Sequence, residues 1–239
     1  KWLMPFIDQS IDVGALHTSQ VIIRPRQVID SNTNEFSFEF PTTGNHLIDL
    51  KSVYLHVKGK LKNEDGTDLA ENANVALSNY GLISLFSKMV VTVGNSQTKI
   101  TIDDLPYVFH RNIIDSEKKN STAFDNIGYI PDYGLKNEAK DKFVQYELKK
   151  DLYKKSSQVS FMSKIHCGFF NMDSFIFKNL PLNIELFRSN PNFYLHTALT
   201  THFNFEIEDI FFVVDLITPN LTIAQAIDDK LESQPGILT

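Results

Sequence analysis

Apolar and polar residues alternate with period two along much of the chain. Glu35-Phe36-Ser37-Phe38-Glu39-Phe40 alternates without a break. Val53, Leu55, Val57 and Leu61 fall on one side of an extended segment, and Tyr54, His56, Lys58, Lys60 and Lys62 on the other. Successive side chains of a strand point to opposite faces, so such a segment sets one face on a core and the other in water. Val21 and Ile23 start a similar strand, and the nearby Pro25, which cannot donate to a ladder, places it at a sheet edge or bulge. Met89 to Val93 and Thr98 to Ile102 flank Gly94-Asn95-Ser96-Gln97, a tight hairpin because Gly and Asn tolerate positive φ. Val159, Phe161 and Ile165 form another inward row; Leu182, Ile184 and Leu186 follow Pro181; Phe193 and Leu195 follow a turn at Pro191. The longest signal runs from His202 to Ile217, with Phe203, Phe205 and Ile207 opposed to Asn204, Glu206 and Glu208. Its second half, Ile210 to Val214, is apolar on both faces, which predicts burial on both sides by a second layer or a partner.

Three helices interrupt the strands. Ser78 or Asn79 can cap Tyr80 to Lys88, whose Leu82, Ile83, Leu85 and Phe86 make an apolar face. Asp103 or Asp104 can cap a helix reaching to around Lys118, with Pro106 in its first turn. Thr222 can cap Ile223 to Leu231. About nine strands with few helices predict an all-β fold, an antiparallel β-sandwich with short helices in its loops. No linker rich in Gly, Pro or Ser and no repeat divides the chain. The expected organisation is an N-terminal arm over residues 1–18 and one domain over 19–239 with helical and lysine-rich insertions.

Composition narrows the function. The 239 residues carry 23 Lys+Arg and 29 Asp+Glu, a formal net charge of −6. That balance argues against a protein whose main work is gripping nucleic acid, because phosphate binding needs surplus cations. The apolar share of 42% and 19 Phe are enough for a large core. No apolar run reaches the length of a membrane-spanning helix. The single cysteine excludes an internal disulfide and fits a reducing compartment. The chain starts at Lys1, and Trp2 to Ile7 is too short for a signal-peptide core, which reads as a trimmed start. Two sequons, Asn120-Ser121-Thr122 and Asn220-Leu221-Thr222, bear on function only in a secreted protein.

Candidate chemistry is sparse. No phosphate loop, nucleophile elbow or His-Glu-x-x-His motif occurs. His166-Cys167 fits either a thiol–imidazole pair or a buried thiol; on a strand, neighbours face apart, which favours the buried thiol. His202, Glu206 and Glu208 share one face, as metal ligands would and as the wet side of a strand would. Asn63 to Asp68 resembles half of a calcium loop without the closing bidentate Glu, and equally an Asp-Gly turn. Leu135 to Ser156 holds seven Lys against four acids with no Arg, which fits a nucleic-acid contact or, better, a solvated face; Phe143, Tyr146 and Tyr153 read as packing residues. Phe169-Phe170 and Phe175-Ile176-Phe177 fit a ligand groove or, better, core and subunit contact. No catalytic, cofactor-binding or metal-ligating residue is assigned, and no cofactor is expected. A large β scaffold with aromatic residues to spare points to an interface.

The order of these segments resembles the amino-terminal jelly roll of double jelly-roll major capsid proteins of the Polinton/Maverick and adintovirus type, distant relatives of adenovirus hexon. The resemblance rests on Phe36-x-Phe38, on Ile48-Asp49-Leu50 leading into Tyr54-Leu55-x-Val57, and on Asp65-Gly66-Thr67-Asp68-Leu69. It continues through Leu82 to Lys88 running into the Met89 strand, then Pro181 to Leu186, and the Phe203 to Leu216 strand before Pro219-Asn220-Leu221. It implies a jelly-roll sandwich and a non-enzymatic viral structural protein. It also implies homotrimeric, pseudo-hexagonal capsomers that contact neighbouring capsomers and minor capsid or penton proteins in an icosahedral shell around double-stranded DNA. Neither specific nucleic-acid binding nor a membrane span is implied. The location would be the virion capsid, with assembly in the host nucleus or cytoplasm. Two jelly rolls need roughly twice this length, so a second is expected after residue 239 where the chain is a piece of a longer protein. The Trp2 to Phe6 arm is expected to tuck under an adjacent capsomer. The residues alone also fit a jelly-roll module binding a glycan or protein ligand, or a metal-dependent β-sandwich enzyme.

Overall fold

The computed structural model describes residues 6–8, 15–31, 33–41, 45–94, 99–116, 148–176, 180–197 and 203–233. Its strands are β1 (Phe6–Asp8), β2 (Ala15–Ile23), β3 (Glu35–Phe40), β4 (Leu47–Asp49), β5 (Tyr54–Asn63), β6 (Val75–Leu77), β7 (Phe86–Val93), β8 (Lys99–Asp103), β9 (Val159–Lys164), β10 (Ser174–Ile176), β11 (Leu182–Arg188), β12 (Leu195–Thr197) and β13 (Phe203–Pro219). Helices are α1 (Gly81–Ser84), α2 (Leu105–Ser116), α3 (Pro191–Tyr194) and α4 (Leu221–Ser233). The 18/19 boundary expected for the arm falls inside β2.

Eight of the strands form the sandwich. One sheet runs β2-β13-β5-β9 and the other β3-β11-β7-β8, with all neighbours antiparallel. Apart from the β7–β8 hairpin, each successive strand of the eight crosses to the opposite sheet. Two four-stranded sheets wound in this order are a jelly roll. β4, β10 and β1 extend the first sheet beyond the end of β5, starting from Leu216 and Ile217 of β13. As its sequence suggests, β2 is an edge strand: among the described residues it pairs only with β13, and Pro25 makes an isolated bridge to Phe38.

The alternation builds the core directly. Phe36, Phe38 and Phe40 from β3 and Leu182, Ile184 and Leu186 from β11 are fully buried against Leu55, Val57 and Phe212 of the facing sheet. Phe38 meets Phe212 edge-to-face across the sandwich, centroids 4.7 Å apart. In β13 the inward row is Phe203, Phe205 and Ile207, then Ile210, Phe212, Val214 and Leu216. That change from odd to even positions requires one extra residue. The ladder to β5 supplies it: Ile207 faces Gly59 and Asp209 faces Lys58, leaving Glu208 as a bulge.

Four connections meet at one end of the sandwich. β6 and β12 pair as a two-stranded ribbon between the β5–β7 and β11–β13 connections, and the Ser78 amide donates to the Tyr194 carbonyl at 2.8 Å. Ser156, in the β8–β9 connection, accepts from the Leu69 amide at 2.8 Å and donates to the Leu61 carbonyl at 2.6 Å. The Arg188 amide donates to the Asn34 carbonyl of the β2–β3 connection.

The helices differ in detail from the sequence reading. The segment expected to be helical from Tyr80 to Lys88 is helical only over α1, because Phe86 to Lys88 pair with Phe187 and Arg188 of β11 and so belong to β7. Tyr80 stands before α1 with φ +59°. The Asp104 carbonyl opens α2, accepting from Tyr107 and Val108 amides. The cap of α4 is Asn220, whose Oδ1 accepts from the Ile223 amide at 2.9 Å, and not Thr222. Phe193 lies exposed on α3, and the buried residue there is Tyr194. The β7–β8 hairpin turns through Gly94 at φ +73°; residues 95–98 lie outside the described residues.

Candidate functional site: the outer faces of the sandwich

The candidate chemical sites resolve into structural ones. His166 and Cys167 lie in a turn after β9, not within the strand as expected: the Cys167 amide donates to Ile165 and its carbonyl accepts from Asn171. The turn sends the thiol into the core, where burial pushes it above its ordinary pKa, while the His166 ring meets Phe109 edge-on at 5.4 Å. His202 lies outside the described residues. Glu206 and Glu208 are engaged by lysines of the neighbouring strand, Lys62 at 3.4 Å and Lys60 at 2.9 Å. The Lys60 ammonium, with Gln158, holds the Glu208 carboxyl below the usual carboxylate range. Among the described residues no three His, Cys, Asp or Glu side chains gather as metal ligands.

The Asn63–Asp68 segment is a turn. Gly66 takes φ +81° and its amide donates to Asn63, while Asp65 accepts from the amide and hydroxyl of Thr67. Lys62 donates to the Gly66 carbonyl and lies 3.7 Å from Asp68, so an ammonium already serves these oxygens. In the lysine-rich stretch, residues 135–147 lie outside the described residues, including Phe143 and Tyr146. Tyr153 is buried as expected, with burial raising its hydroxyl pKa. Lys154 pairs with Asp151 and Lys155 with Glu71. Phe169, Phe170, Phe175 and Ile176 are all buried, which favours core over ligand groove; Phe177 lies outside the described residues.

What remains is surface, and the two sheets differ there. The outward face of β3-β11-β7-β8 is mostly charged: Lys88 lies 3.8 Å from Asp103, Lys99 lies 3.6 Å from Glu185, and Arg26 pairs with Glu39; it also carries Val90, opposite Glu185, and Phe187, with Lys88 over its ring at 5.6 Å. On the outward face of β2-β13-β5-β9 the ion pairs among the described residues, Lys62–Glu206, Lys60–Glu208 and Arg24–Asp209, gather towards one end. Towards its middle, one row crosses all four strands and a second crosses three. In the first, Ile22, Val213, Tyr54 and Lys164 are successive cross-strand partners. In the second, Phe211, His56 and Met162 are. The His56 ring stacks on Phe211 at 4.3 Å, Arg24 lies over the Phe211 ring at 5.3 Å, and Lys164 over Tyr54 at 6.0 Å. Tyr54 and His56 were expected on a purely wet face; their cross-strand partners Val213 and Phe211 make the patch apolar instead. The doubly apolar run Ile210 to Val214 was the signal that could have located it.

These features define the class, a jelly-roll sandwich of two four-stranded antiparallel sheets. No protein-family model and no curated protein sequence matches the chain. Among solved structures, its fold is similar to the PBCV-1 virus capsid, with a TM-score of 0.51 at 10% identity over 88% of this chain and 44% of that one. It is similar also to PBCV-1 VP54 fitted into a reconstruction of the virophage Sputnik, with a TM-score of 0.50 at 10% identity over 88% of this chain and 45% of that one. The mavirus major capsid protein matches more loosely, with a TM-score of 0.42 at 12% identity over 86% of this chain and 48% of that one. This chain therefore spans less than half the length of the capsid chains it matches.

Proposed function

We propose that the chain is a viral structural protein, a major capsid building block that self-associates into a shell and performs no catalysis. One observation carries this reading: eight strands in jelly-roll order that superpose on virus capsid chains over 88% of this chain. A shell is held by repeated contacts of buried apolar area and needs no reactive centre. Trimeric, pseudo-hexagonal capsomers, a second jelly roll in the same polypeptide, neighbouring capsomers and minor capsid or penton proteins as partners, and a location in the virion capsid all belong to this reading. Among the described residues no helix is long and apolar enough to cross a membrane.

The test is mass photometry and negative-stain electron microscopy of the purified protein across a concentration series. Trimers or larger particles with hexagonal outline are expected. A monodisperse monomer at every concentration would overturn the reading.

A further inference from the structure

An edge strand presents a row of backbone N–H and C=O groups that can recruit another strand, and charges or covering chain are the usual guards against it. The eight-stranded sandwich has four edge strands, β2, β9, β3 and β8. Three of them carry a guard. Along β3, the Arg26 amide donates to the Ser37 carbonyl at 2.8 Å, and the Gln27 side chain accepts from the Ser37 amide at 3.2 Å and donates to the Glu35 carbonyl. β8 has Lys99 and Asp103 at its ends. β9 ends in Lys164, whose carbonyl accepts from the Ser163 hydroxyl. β2 differs. From Ala15 to Ile23 it holds no Lys, Arg, Asp, Glu or Pro, and among the described residues it pairs only with β13. His17, Thr18, Gln20 and Ile22 are exposed. An open cleft of about 460 Å³ lies along its end, lined by Val21 to Arg24 and Glu39 to Pro41.

The ladder fixes which groups of β2 face outward. The Asp215 amide donates to the Ser52 hydroxyl at 2.8 Å, beside β4 and so on the side of β13 away from β2. Asp215 and its partner Gln20 are therefore a non-hydrogen-bonded pair, in which each backbone turns its N–H and C=O away from the other. Alternation then sets the N–H and C=O of Thr18, Gln20 and Ile22 on the outer edge, about 6.8 Å apart along the strand. This row is its own complement. An antiparallel copy of the same strand, related by a twofold axis at Gln20, sets Gln20 opposite Gln20, Thr18 opposite Ile22 and Ile22 opposite Thr18. These are three pairs that exchange two hydrogen bonds each. A twofold contact uses one patch twice, so each of these outward groups is satisfied by symmetry. No like charges meet across it. Ile22, which ends the outer band running through Val213 and Tyr54, gains a β-branched neighbour on its own face.

We propose that β2 is a strand-addition edge for a second copy of this chain, joining two β2-β13-β5-β9 sheets edge to edge about a twofold axis at Gln20. The contact goes beyond the capsid reading: a trimer closes about a threefold axis, so a twofold contact joins one such assembly to the next. Gln20→Pro removes an outward N–H, leaves the β13 ladder whole and costs only the exposed Gln20–Asp215 contact. Mass photometry is expected to show the association constant of this contact falling at least tenfold, with the melting temperature unchanged. A second measurement does not depend on that variant. Gln20→Cys sets two thiols opposite each other with Cα atoms about 5.5 Å apart, within disulfide reach, whereas Thr18→Cys faces Ile22 of the other copy. With oxidised glutathione as oxidant, Gln20→Cys is expected to give a covalent dimer on non-reducing gels and Thr18→Cys none; the native Cys167 is buried. Unchanged association of folded Gln20→Pro, no covalent dimer from Gln20→Cys, or equal cross-linking at both positions would overturn the inference and leave the capsid reading standing. A wild-type protein that is monomeric at every concentration would overturn both.

Discussion

Gly59 lies against Phe205: a β carbon on Gly59 would stand 2.7 Å from the Phe205 ring and 2.2 Å from the Glu206 carbonyl oxygen. The reason is the bulge. Ile207 faces Gly59 directly before the Glu208 bulge, and the Phe205 ring and Glu206 carbonyl fill the space a side chain on Gly59 would need. A backbone oxygen cannot swing aside as a long side chain can. Gly59→Ala is therefore expected to cost about 3 kcal/mol, at the upper end of overpacking effects, read as a lower urea midpoint. A loss of under about 0.5 kcal/mol, the range of a neutral surface change, would mean the two strands are not seated this closely.

Ser156 ties the loop end together. Its buried hydroxyl donates to Leu61 on β5 and accepts from Leu69 in the connection that follows. Ser156→Ala leaves a buried amide and a buried carbonyl without that hydroxyl, at an expected cost of about 2 kcal/mol. Hydrogen exchange should quicken at Leu69 and leave β3 and β11 untouched. Uniformly faster exchange, or none, would contradict this local role.

Strand identity was readable because one-face burial writes itself as alternation. The Phe36-Phe38-Phe40 row and the Leu182-Ile184-Leu186 row, read from letters, are fully buried neighbours in one sheet. Pairing order was not readable, since it depends on contacts far apart in sequence. Phe86 to Lys88 shows why: helical spacing is local, and the β11 ladder overrides it. The outer band was half legible. Ile210 to Val214 announces two buried faces, but only the register places Val213 between Ile22 and Tyr54. The change from Phe203-Phe205-Ile207 to Ile210-Phe212-Val214 was present in the letters as a parity slip, the mark of a bulge.

That slip makes a paired test of two adjacent rings. Phe212 points inward and is fully buried against Phe38 and Phe40; Phe211 points outward beneath Arg24 and His56. Phe212→Ala is expected to cost about 4 kcal/mol, while Phe211→Ala should cost at most about 1.5 kcal/mol, the scale of a partly exposed ring contact. Chemical denaturation of the two variants decides it. Equal losses would place the bulge elsewhere in β13.

His56 gives the outer face a pH response. Its Nε2 lies 2.7 Å from the Ser160 hydroxyl, and its Nδ1 is buried with no hydrogen-bond partner. Burial holds its pKa below the ordinary 6.5, Asp209 pulls the other way, and Lys58 and Arg24 add to the lowering. The protonated ring carries an N–H on both nitrogens, the one on Nδ1 without an acceptor, and its charge is repelled by Lys58 and Arg24. Since the folded-state pKa is the lower one, the unfolded chain takes up the proton first as pH falls below 6.5. Stability from this residue is thus whole above pH 6.5 and declines beneath it, levelling off once the folded form is protonated too. His56→Phe keeps a ring on Phe211 and removes the titration. Urea midpoints measured from pH 7.5 to 5.0 should fall more steeply for the wild type than for His56→Phe, with the curves separating below pH 6.5. Parallel curves would show that the imidazole is as well solvated folded as unfolded.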